Sequence, residues 1–433
     1  MNLHALLTAR EQAGQPVGVG LIGAGKFGTM FLSQALRTPG LRMVGICDLQ
    51  PRRVAAALAE VGFAQAPVPL FEDPMALIAA GGVDVVIDST GDPAAGIRHA
   101  LACCEHGKHV VMVNVEADVL AGPLLRRRAD AAGVVYSLAY GDQPALICEQ
   151  VDWARAIGLD VVAAGKGTLY MPGFHASTPD TVWDHYGLDA ARAAASGMNA
   201  KMFNSFLDGT KSAIEMAAVA NATGLTPAPD GLAFPPCAPE DLAKTLIPAE
   251  AGGCLHHAGQ VEVVSSRGRD GVDLDRDLRW GVYVTFAAPS DYVKRCFADY
   301  GLITDAGGDY SALWRPYHLI GLELGVSVAS AALRGEATGA PTGWRGDAVA
   351  VAKRDLAQGE VLDGEGGFTV WGRLMPAADS LAAGALPIGL AHGVALTAPV
   401  KAGTVVRWAD VAADETDPAV RVRREMEAAF GAV

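Results

Sequence analysis

The sequence predicts a doubly wound parallel α/β sheet, followed by a central α+β domain and a small C-terminal β module. Three observations carry this: a glycine-rich turn between an apolar run and a helical pattern near the N-terminus, a regular alternation of strand-like and helix-like segments through the first third, and a late run of short apolar segments separated by glycines. The chain has 433 residues, with 34 Lys+Arg against 48 Asp+Glu and a formal net charge of −14. At about 100–200 residues per domain, this length suits two to three domains, each able to bury its own core. The expected division is 1–150, 151–345 and 346–433, with a last strand returning to the first domain after the second. A composition of 51% hydrophobic and 19% charged residues is that of a globular chain, and the acidic balance disfavours nucleic acid as a partner.

The first strand, VGVGLI from Val17, leads into Gly23-Ala24-Gly25-Lys26-Phe27-Gly28 and then a helical pattern. Gly23 permits a tight turn, Gly25 lets the backbone approach a pyrophosphate, and Gly28 lets helix and strand pack closely, so that phosphates sit at the helix N-terminus. A lone GxGxxG is a weak signal. Here a strand precedes it, a helix follows, and Asp48 closes a second apolar strand, LRMVGICD, about 20 residues downstream, which completes a Rossmann dinucleotide fingerprint. Asp48 suits the ribose hydroxyls of NAD, whereas Arg52 and Arg53 suit the 2′-phosphate of NADP or form a solvated helix face; both coenzymes remain open.

The alternation continues with GVDVVIDSTGDPAAG, a buried strand whose end at Ser89-Thr90-Gly91 is expected beside the nicotinamide half. A helix from Ala94 to Glu105 and the strand HVVMVN, ending at Asn114, follow. Asn114 joins the expected coenzyme contacts. Glu116 lies just past a strand's carboxyl end, where ligands of open sheets collect, and is expected as an acid or metal ligand. Cys103, Cys104, His106 and His109 look like a metal cluster, but Gly107 stops the helix between them, so they read as small buried thiols at a helix end.

Seven scattered cysteines and an N-terminus without a cleavable apolar leader point to a reducing, cytoplasmic setting. Leu381 to Val400 contains no charged residue and is long enough to span a bilayer, but Gly384, Pro387, Gly389, Gly393 and Pro399 favour short strands and turns, so no membrane association is expected. Asp273-x-Asp275-x-Asp277 lacks the glycine and glutamate of a calcium loop, and Cys254-Leu255-His256-His257 reads as surface loop.

The fingerprint, VVMVNVEAD and YSLAYGDQPAL resemble homoserine-dehydrogenase-type Rossmann enzymes, and VAKRDLAQGEVLDGEGG through LPIGLAHGVALTAPVKAGTVVRWADV resembles a SAF domain. Together with KGTLYMPGFHASTPDTVWDHYG, KMFNSFLDGTKSAIEMAAVANATGLTP and RPYHLIGLELGVSVA, they resemble the homoserine dehydrogenase-like family with a C-terminal SAF domain, and within it the 1-deoxy-D-xylulose 5-phosphate reductoisomerase-like (DRL) branch. Two departures matter. Asn114 is followed by Val115 where homoserine dehydrogenases carry lysine, and no acidic DxDGxD-type run is present, so homoserine oxidation is not expected. The resemblance implies NAD(P)H-dependent conversion of 1-deoxy-D-xylulose 5-phosphate to 2-C-methyl-D-erythritol 4-phosphate in isoprenoid precursor synthesis. It also implies a divalent cation, Mg or Mn, for which Glu116, Asp208 and Glu215 are the possible ligands. A dehydrogenase of another small hydroxy-acid or sugar-acid, and a nucleotide-sensing scaffold without turnover, are the alternatives.

The central segment carries the candidate chemistry. Lys201, Asn204, Asp208, Lys211 and Glu215 recur at i+3 and i+4, which on one helix places them on one stripe, and the apolar residues around them predict burial. Gly209 costs about 1 kcal/mol within a helix, so the alternative is a break with Asp208 as the cap of a second helix. A reductase needs a proton donor and positive charge at the developing alkoxide, and a phosphorylated or acidic substrate needs fixed cations. Lys201, Lys211, Asp208 and Glu116 are therefore the expected catalytic residues, with Lys166, Asn204, Arg315 and His318 binding substrate. Lys166 is expected in a glycine-rich turn after a strand; Gly167 excludes a Walker A lysine. The SAF-like segment, from Ala348 to about Val411, is expected to cover the site or mediate self-association, and the tail to form a helix capped by Asp417 with Pro418 at its first position. A homodimer is the default assembly.

Overall fold

The apolar runs of the first third become six parallel strands: β1 (Val17–Ile22), β2 (Leu41–Cys47), β3 (Leu70–Phe71), β4 (Val85–Asp88), β5 (His109–Met112) and β6 (Tyr136–Leu138), paired in the order β3-β2-β1-β4-β5-β6. This is the strand order of dinucleotide-binding sheets, with its switch point between β1 and β4. Each crossover carries a helix, and β1 and β4 are buried on both faces and read as near-continuous hydrophobic runs. The computed structural model describes residues 2–431 and divides into two compact units, one formed by the chain up to Glu149 with His318–Thr342, the other by Gln150–Tyr317 with the chain from Gly343 onward.

The segment that returns to the first unit is a helix, Gly325–Arg334, and not the strand expected. Leu324, Val328 and Ala329 join Val17, Val19 and Leu21 of β1 in one core. Gly321, at φ +71°, makes that return possible: a Cβ there would lie 2.6 Å from the Phe27 carbonyl oxygen.

The second unit holds a mixed sheet ordered β10-β9-β7-β8, formed by β7 (Asp160–Thr168), β8 (Gln260–Ser265), β9 (Val282–Ala287) and β10 (Tyr310–Arg315). Lys166 lies inside β7, not in a turn. Its flanking glycines serve close approach: a Cβ on Gly165 would stand 1.7 Å from the Glu262 carbonyl oxygen, and one on Gly167 2.0 Å from that of Leu278. Gly209, at φ +92°, breaks the central helical pattern into Ala200–Leu207 and Thr210–Thr223. The single stripe of Lys201, Asn204, Asp208, Lys211 and Glu215 is therefore replaced by residues on two helices and their junction.

The C-terminal segment packs on the second of these helices. It contains β11 (Gly346–Ala352) paired with β13 (Val370–Pro376), and β12 (Val361–Asp363) paired with β14 (His392–Ala395), all antiparallel. Asn221 Oδ1 accepts the backbone N–H of Arg345 at 2.7 Å and of Gly346 at 3.0 Å, which seats β11 against Ala217 and Ala220. This explains why Ala213 to Asn221 are buried all round. The helix Pro418–Phe430 begins at an Asp417 cap and carries the fully buried Arg423, paired with Asp347 at 2.6 Å. Leu381–Val400 is divided among the end of helix Ala377–Ala383, turns and β14, and no helix among the described residues is long and apolar enough to cross a membrane.

Candidate functional site

In the first unit the three glycines of the turn do different work. A Cβ on Gly23 would lie 2.7 Å from the Ser89 carbonyl oxygen, and one on Gly28 2.3 Å from that of Gly23, so both are required by the protein's own packing. Gly25 meets nothing within 4 Å and has an ordinary φ of −71°. It occupies the N-cap position of helix Lys26–Ala35, which has no side-chain cap. Uncapped N–H groups beside an unfilled backbone position fit a pyrophosphate, so the turn fits a dinucleotide on geometry as well as spacing.

Side chains brace this turn. Asp48 accepts the N–H of Ala24 through Oδ2 at 2.9 Å and that of Gln50 through Oδ1 at 2.8 Å, tying the end of β2 to the glycines. Ser89 Oγ donates to the Gly23 carbonyl at 2.8 Å. Thr90 Oγ1 donates to Asp88 Oδ1 at 2.9 Å, and the buried Asp88 is held in turn by His99 Nδ1. Asn114 caps helix Val115–Ala131 by accepting from Ala117 N, and its amide donates to Asp92 O at 2.7 Å and Thr90 Oγ1 at 3.3 Å. Asn114 is therefore a brace for the Thr90–Asp92 loop, where a direct coenzyme contact was expected. Lys26, Arg52 and Arg53 are exposed, while Glu116 is half-buried on the first turn after Asn114. Asp118, two residues on, is fully buried against the Tyr136 hydroxyl at 2.9 Å, and burial pushes its carboxyl up to about 7.

The second unit contains a cavity of ≈ 320 Å³ whose lining includes His175, Gly209, Phe234, Trp371 and Arg373. His175 Nδ1 lies 2.7 Å from the Asp208 carbonyl oxygen, and Nε2 lies 2.9 Å from the Tyr170 hydroxyl. A carbonyl only accepts, so Nδ1 carries the proton and the neutral ring's Nε2 accepts from Tyr170. Burial lowers the His175 pKa, and the charges of Lys353 and Arg373 press it the same way. The ring stacks on Trp371 at 3.9 Å between centroids, and Tyr170 stacks on Phe234 at 3.9 Å.

Two buried carboxylates support these walls. Phe234 is the one non-glycine residue at positive φ, +52°, among those described, and costs of order 1–3 kcal/mol to hold there. Glu262 accepts the N–H groups of Ala233 and Phe234, at 3.1 and 3.3 Å, and Arg269 donates to the Phe234 carbonyl at 2.8 Å. Burial raises the Glu262 carboxyl to about 7 against these donors. Asp208 is fully buried at the helix break, where Oδ1 accepts from Thr210 N at 2.9 Å and Oδ2 pairs with Lys353 Nζ at 2.8 Å. Lys353 also donates to Ser177 O and Gly367 O, both at 2.7 Å. Burial raises the Asp208 pKa and Lys353 opposes the shift.

Most of the lysines expected to act on substrate do other work. Lys166 and Glu215 form a buried ion pair, and Lys201 Nζ donates to the Asp363 carbonyl at β12. Asn204 is fully buried, donating to Ser177 O at 3.1 Å and Gly366 O at 2.9 Å and accepting from Ser177 Oγ at 2.6 Å, so its amide is occupied by the fold. Lys211 is half-buried on the first turn of its helix. Arg315 ends β10 with its guanidinium over the Tyr317 ring at 5.2 Å, whereas His318 belongs to the other unit. None of these residues lines the cavity. His175, Tyr170, Phe234, Trp371 and Arg373 were not anticipated; Tyr170 and His175 lie in the KGTLYMPGFHASTP segment that already stood out by resemblance.

The expected divalent-cation set does not assemble. Asp208 and Glu215 are each neutralised by a buried lysine, Glu116 belongs to the other unit, and the described residues contain no group of three or more His, Cys, Asp or Glu placed to hold a metal.

Three family models match. Residues 17–112 match the oxidoreductase family with an NAD-binding Rossmann fold, of the GFO/IDH/MocA type, residues 141–324 the catalytic domain of oxidoreductase DRL, and residues 347–412 the SAF domain. None of them describes a homoserine dehydrogenase. Similar solved structures include an NAD-binding protein from Listeria innocua, with 21% identity over 36% of this chain and 44% of that one at a TM-score of 0.27. Biliverdin reductase from Synechocystis sp., in complex with biliverdin and NADP+, gives 20%, 36%, 48% and 0.27. A probable dehydrogenase from Thermotoga maritima gives 15%, 62%, 72% and 0.32. The chain spans less than half the length of the first two. No curated protein matches it. Residues 17–112 are thus similar to an NAD-binding Rossmann domain and residues 141–324 to an oxidoreductase catalytic domain.

Proposed function

We propose that the protein is an NAD(P)H-dependent reductase of a small phosphorylated or acidic hydroxy-carbonyl compound, specifically a reductoisomerase of 1-deoxy-D-xylulose 5-phosphate. The observation that carries this reading is that the DRL catalytic-domain match, residues 141–324, contains the cavity's His175, Gly209 and Phe234 together with Tyr170. A bound nicotinamide coenzyme supplies the hydride. The chain's own residues do the rest: the Gly23–Gly28 turn and the uncapped helix behind it hold the pyrophosphate, Asp48 keeps the turn in place, and Arg52 and Arg53 are available to a 2′-phosphate.

In the second unit, Tyr170 Oη and His175 Nε2 share one transferable proton, with the ring's orientation fixed by the Asp208 carbonyl. A carbonyl being reduced needs such a donor as its oxygen takes up negative charge. The Phe234 and Trp371 rings form apolar walls beside this pair, and a polar contact against such a wall is stronger than one in open water. The test is NADPH and NADH oxidation by the full chain with 1-deoxy-D-xylulose 5-phosphate, with and without Mg²⁺ or Mn²⁺, alongside a panel of sugar acids and semialdehydes. Oxidation coupled to 2-C-methyl-D-erythritol 4-phosphate is expected. Turnover with another member of the panel only would replace the substrate, and tight coenzyme binding without any turnover would make the chain a sensor.

A further inference from the structure

One wall of the cavity comes from outside the DRL catalytic-domain match. Trp371, Gly372, Arg373 and Leu374 lie on β13, within the segment matched by the SAF domain. They are held firmly. The Gly372 N–H donates to Thr210 Oγ1 at 2.7 Å, and a Cβ on Gly372 would stand 2.8 Å from Thr210 Cγ2, so the strand lies directly on the start of helix Thr210–Thr223. Lys353, just after β11, ties the same segment to Asp208 and Ser177.

Arg373 stands out in this wall. Its guanidinium is half-buried, and its hydrogen bonding to the protein is one contact, Nη2 to the Asp230 carbonyl oxygen at 3.2 Å. Among the half-buried or buried guanidiniums of this unit, Arg423 meets Asp347 and Glu427 and Arg267 meets Asp273, while Arg279 lies over the Tyr186 and Trp280 rings; Arg373 is the one that lines the cavity. The carboxylate in the cavity lining is that of Asp230, which is exposed and forms no ion pair with Arg373. The Asp208 carboxylate and Lys353 neutralise each other, which leaves Arg373 and the exposed Asp230 as the unpaired charges of the lining, and Arg373 presses His175 toward its uncharged form. A half-buried guanidinium with unused N–H donors on a cavity wall is open to an anion, and its planar fork matches a phosphate or carboxylate.

Resting on the substrate site proposed above, we infer that Arg373 is the anion receptor of this cavity: it holds the phosphate or carboxylate group of the substrate, with Trp371 and Phe234 as apolar walls. The SAF domain is then a specificity-determining part of the site.

The test uses the full chain without coenzyme, titrated calorimetrically with inorganic phosphate and separately with malonate, which distinguishes the two anion chemistries. Binding of one of them is expected in the wild type. Arg373→Ala should weaken it by about tenfold or more, Arg373→Lys should recover part of the loss, and Asp230→Asn should strengthen it by removing a nearby negative charge. NAD(P)H affinity should be unchanged in all three variants. Phosphate and malonate affinities that are equal in wild type and Arg373→Ala, or absent in both, would overturn the inference. If Arg373→Ala does not fold, Arg373→Gln and the Asp230→Asn shift carry the test. Anion binding without coenzyme oxidation would sink the reductase reading and leave this site standing; the reverse would sink the site alone.

Discussion

In the first unit the site is one continuous turn made of backbone, while in the second it is a cavity whose walls come from His175, Phe234 and the Trp371–Leu374 strand, segments far apart in the chain. A backbone site is sensitive to any added Cβ and indifferent to most side chains around it. A side-chain site depends on the caps and ion pairs that aim each group, here Asp208 with Lys353 and Glu262 with its ring of N–H donors. The same difference separates what fails gently from what fails by unfolding.

The largest effect is therefore expected in the second unit. Lys353→Met leaves the Asp208 carboxylate buried and unpaired, and should cost about 3–5 kcal/mol of unfolding free energy, measured by urea denaturation. Arg423→Met, which strands Asp347 in the same way, should be comparable; a loss below about 1 kcal/mol in either would show that these pairs do not hold the unit together.

Next come the buried carboxyls, one in each unit. Asp118 and Glu262 are both raised to about 7, well above the ordinary carboxyl range, by burial. The folded state then binds their protons more tightly than the unfolded state, so their stabilising contribution is complete below the unfolded pKa and is lost as pH rises through the folded one. Unfolding free energies from urea denaturation should fall between pH 5 and pH 8, by about 2–3 kcal/mol for each group, and Asp118→Asn should remove one share of that slope while leaving the share of Glu262. An unchanged slope in Asp118→Asn would mean that the carboxyl is not held protonated.

A smaller pair of substitutions separates packing from ligand binding within one turn. Gly28→Ala drives a methyl against the Gly23 carbonyl and should destabilise by about 1–3 kcal/mol, whereas Gly25→Ala should leave the melting temperature unchanged. Equal melting temperatures in both would contradict the assignment of Gly28 to packing. Least of all, Arg52→Ala with Arg53→Ala should leave NADH affinity unaltered and, if the coenzyme is NADP, weaken NADPH by about tenfold.

The parallel sheet was legible because its rules are local: buried strands read as apolar runs, and Gly28 answers to the carbonyl of Gly23, in the same turn. The reach of the glycine argument had a limit at Gly165 and Gly167, where the same residue type looked like a turn and in fact admits the Glu262 and Leu278 carbonyls beside β7. The cavity was largely invisible. The apolar residues around Asp208 and Glu215 correctly signalled buried charge, but the partners of Asp208, Lys201 and Glu215, which are Lys353, Asp363 and Lys166, sit in distant segments. His175 and Arg373 carry no local pattern at all. Their chemistry arises only when β13 is laid against the start of helix Thr210–Thr223.

The most direct test of the account is calorimetric titration of NADPH and of NADH into the full chain and into Gly25→Val, with melting temperatures recorded for both proteins. Binding of at least one coenzyme by the wild type, lost in a Gly25→Val protein of unchanged thermal stability, is the expected result, because the added side chain meets no protein atom within 4 Å of its Cβ. Absence of heat with either coenzyme in the wild type, or equal affinity in both proteins, would contradict it.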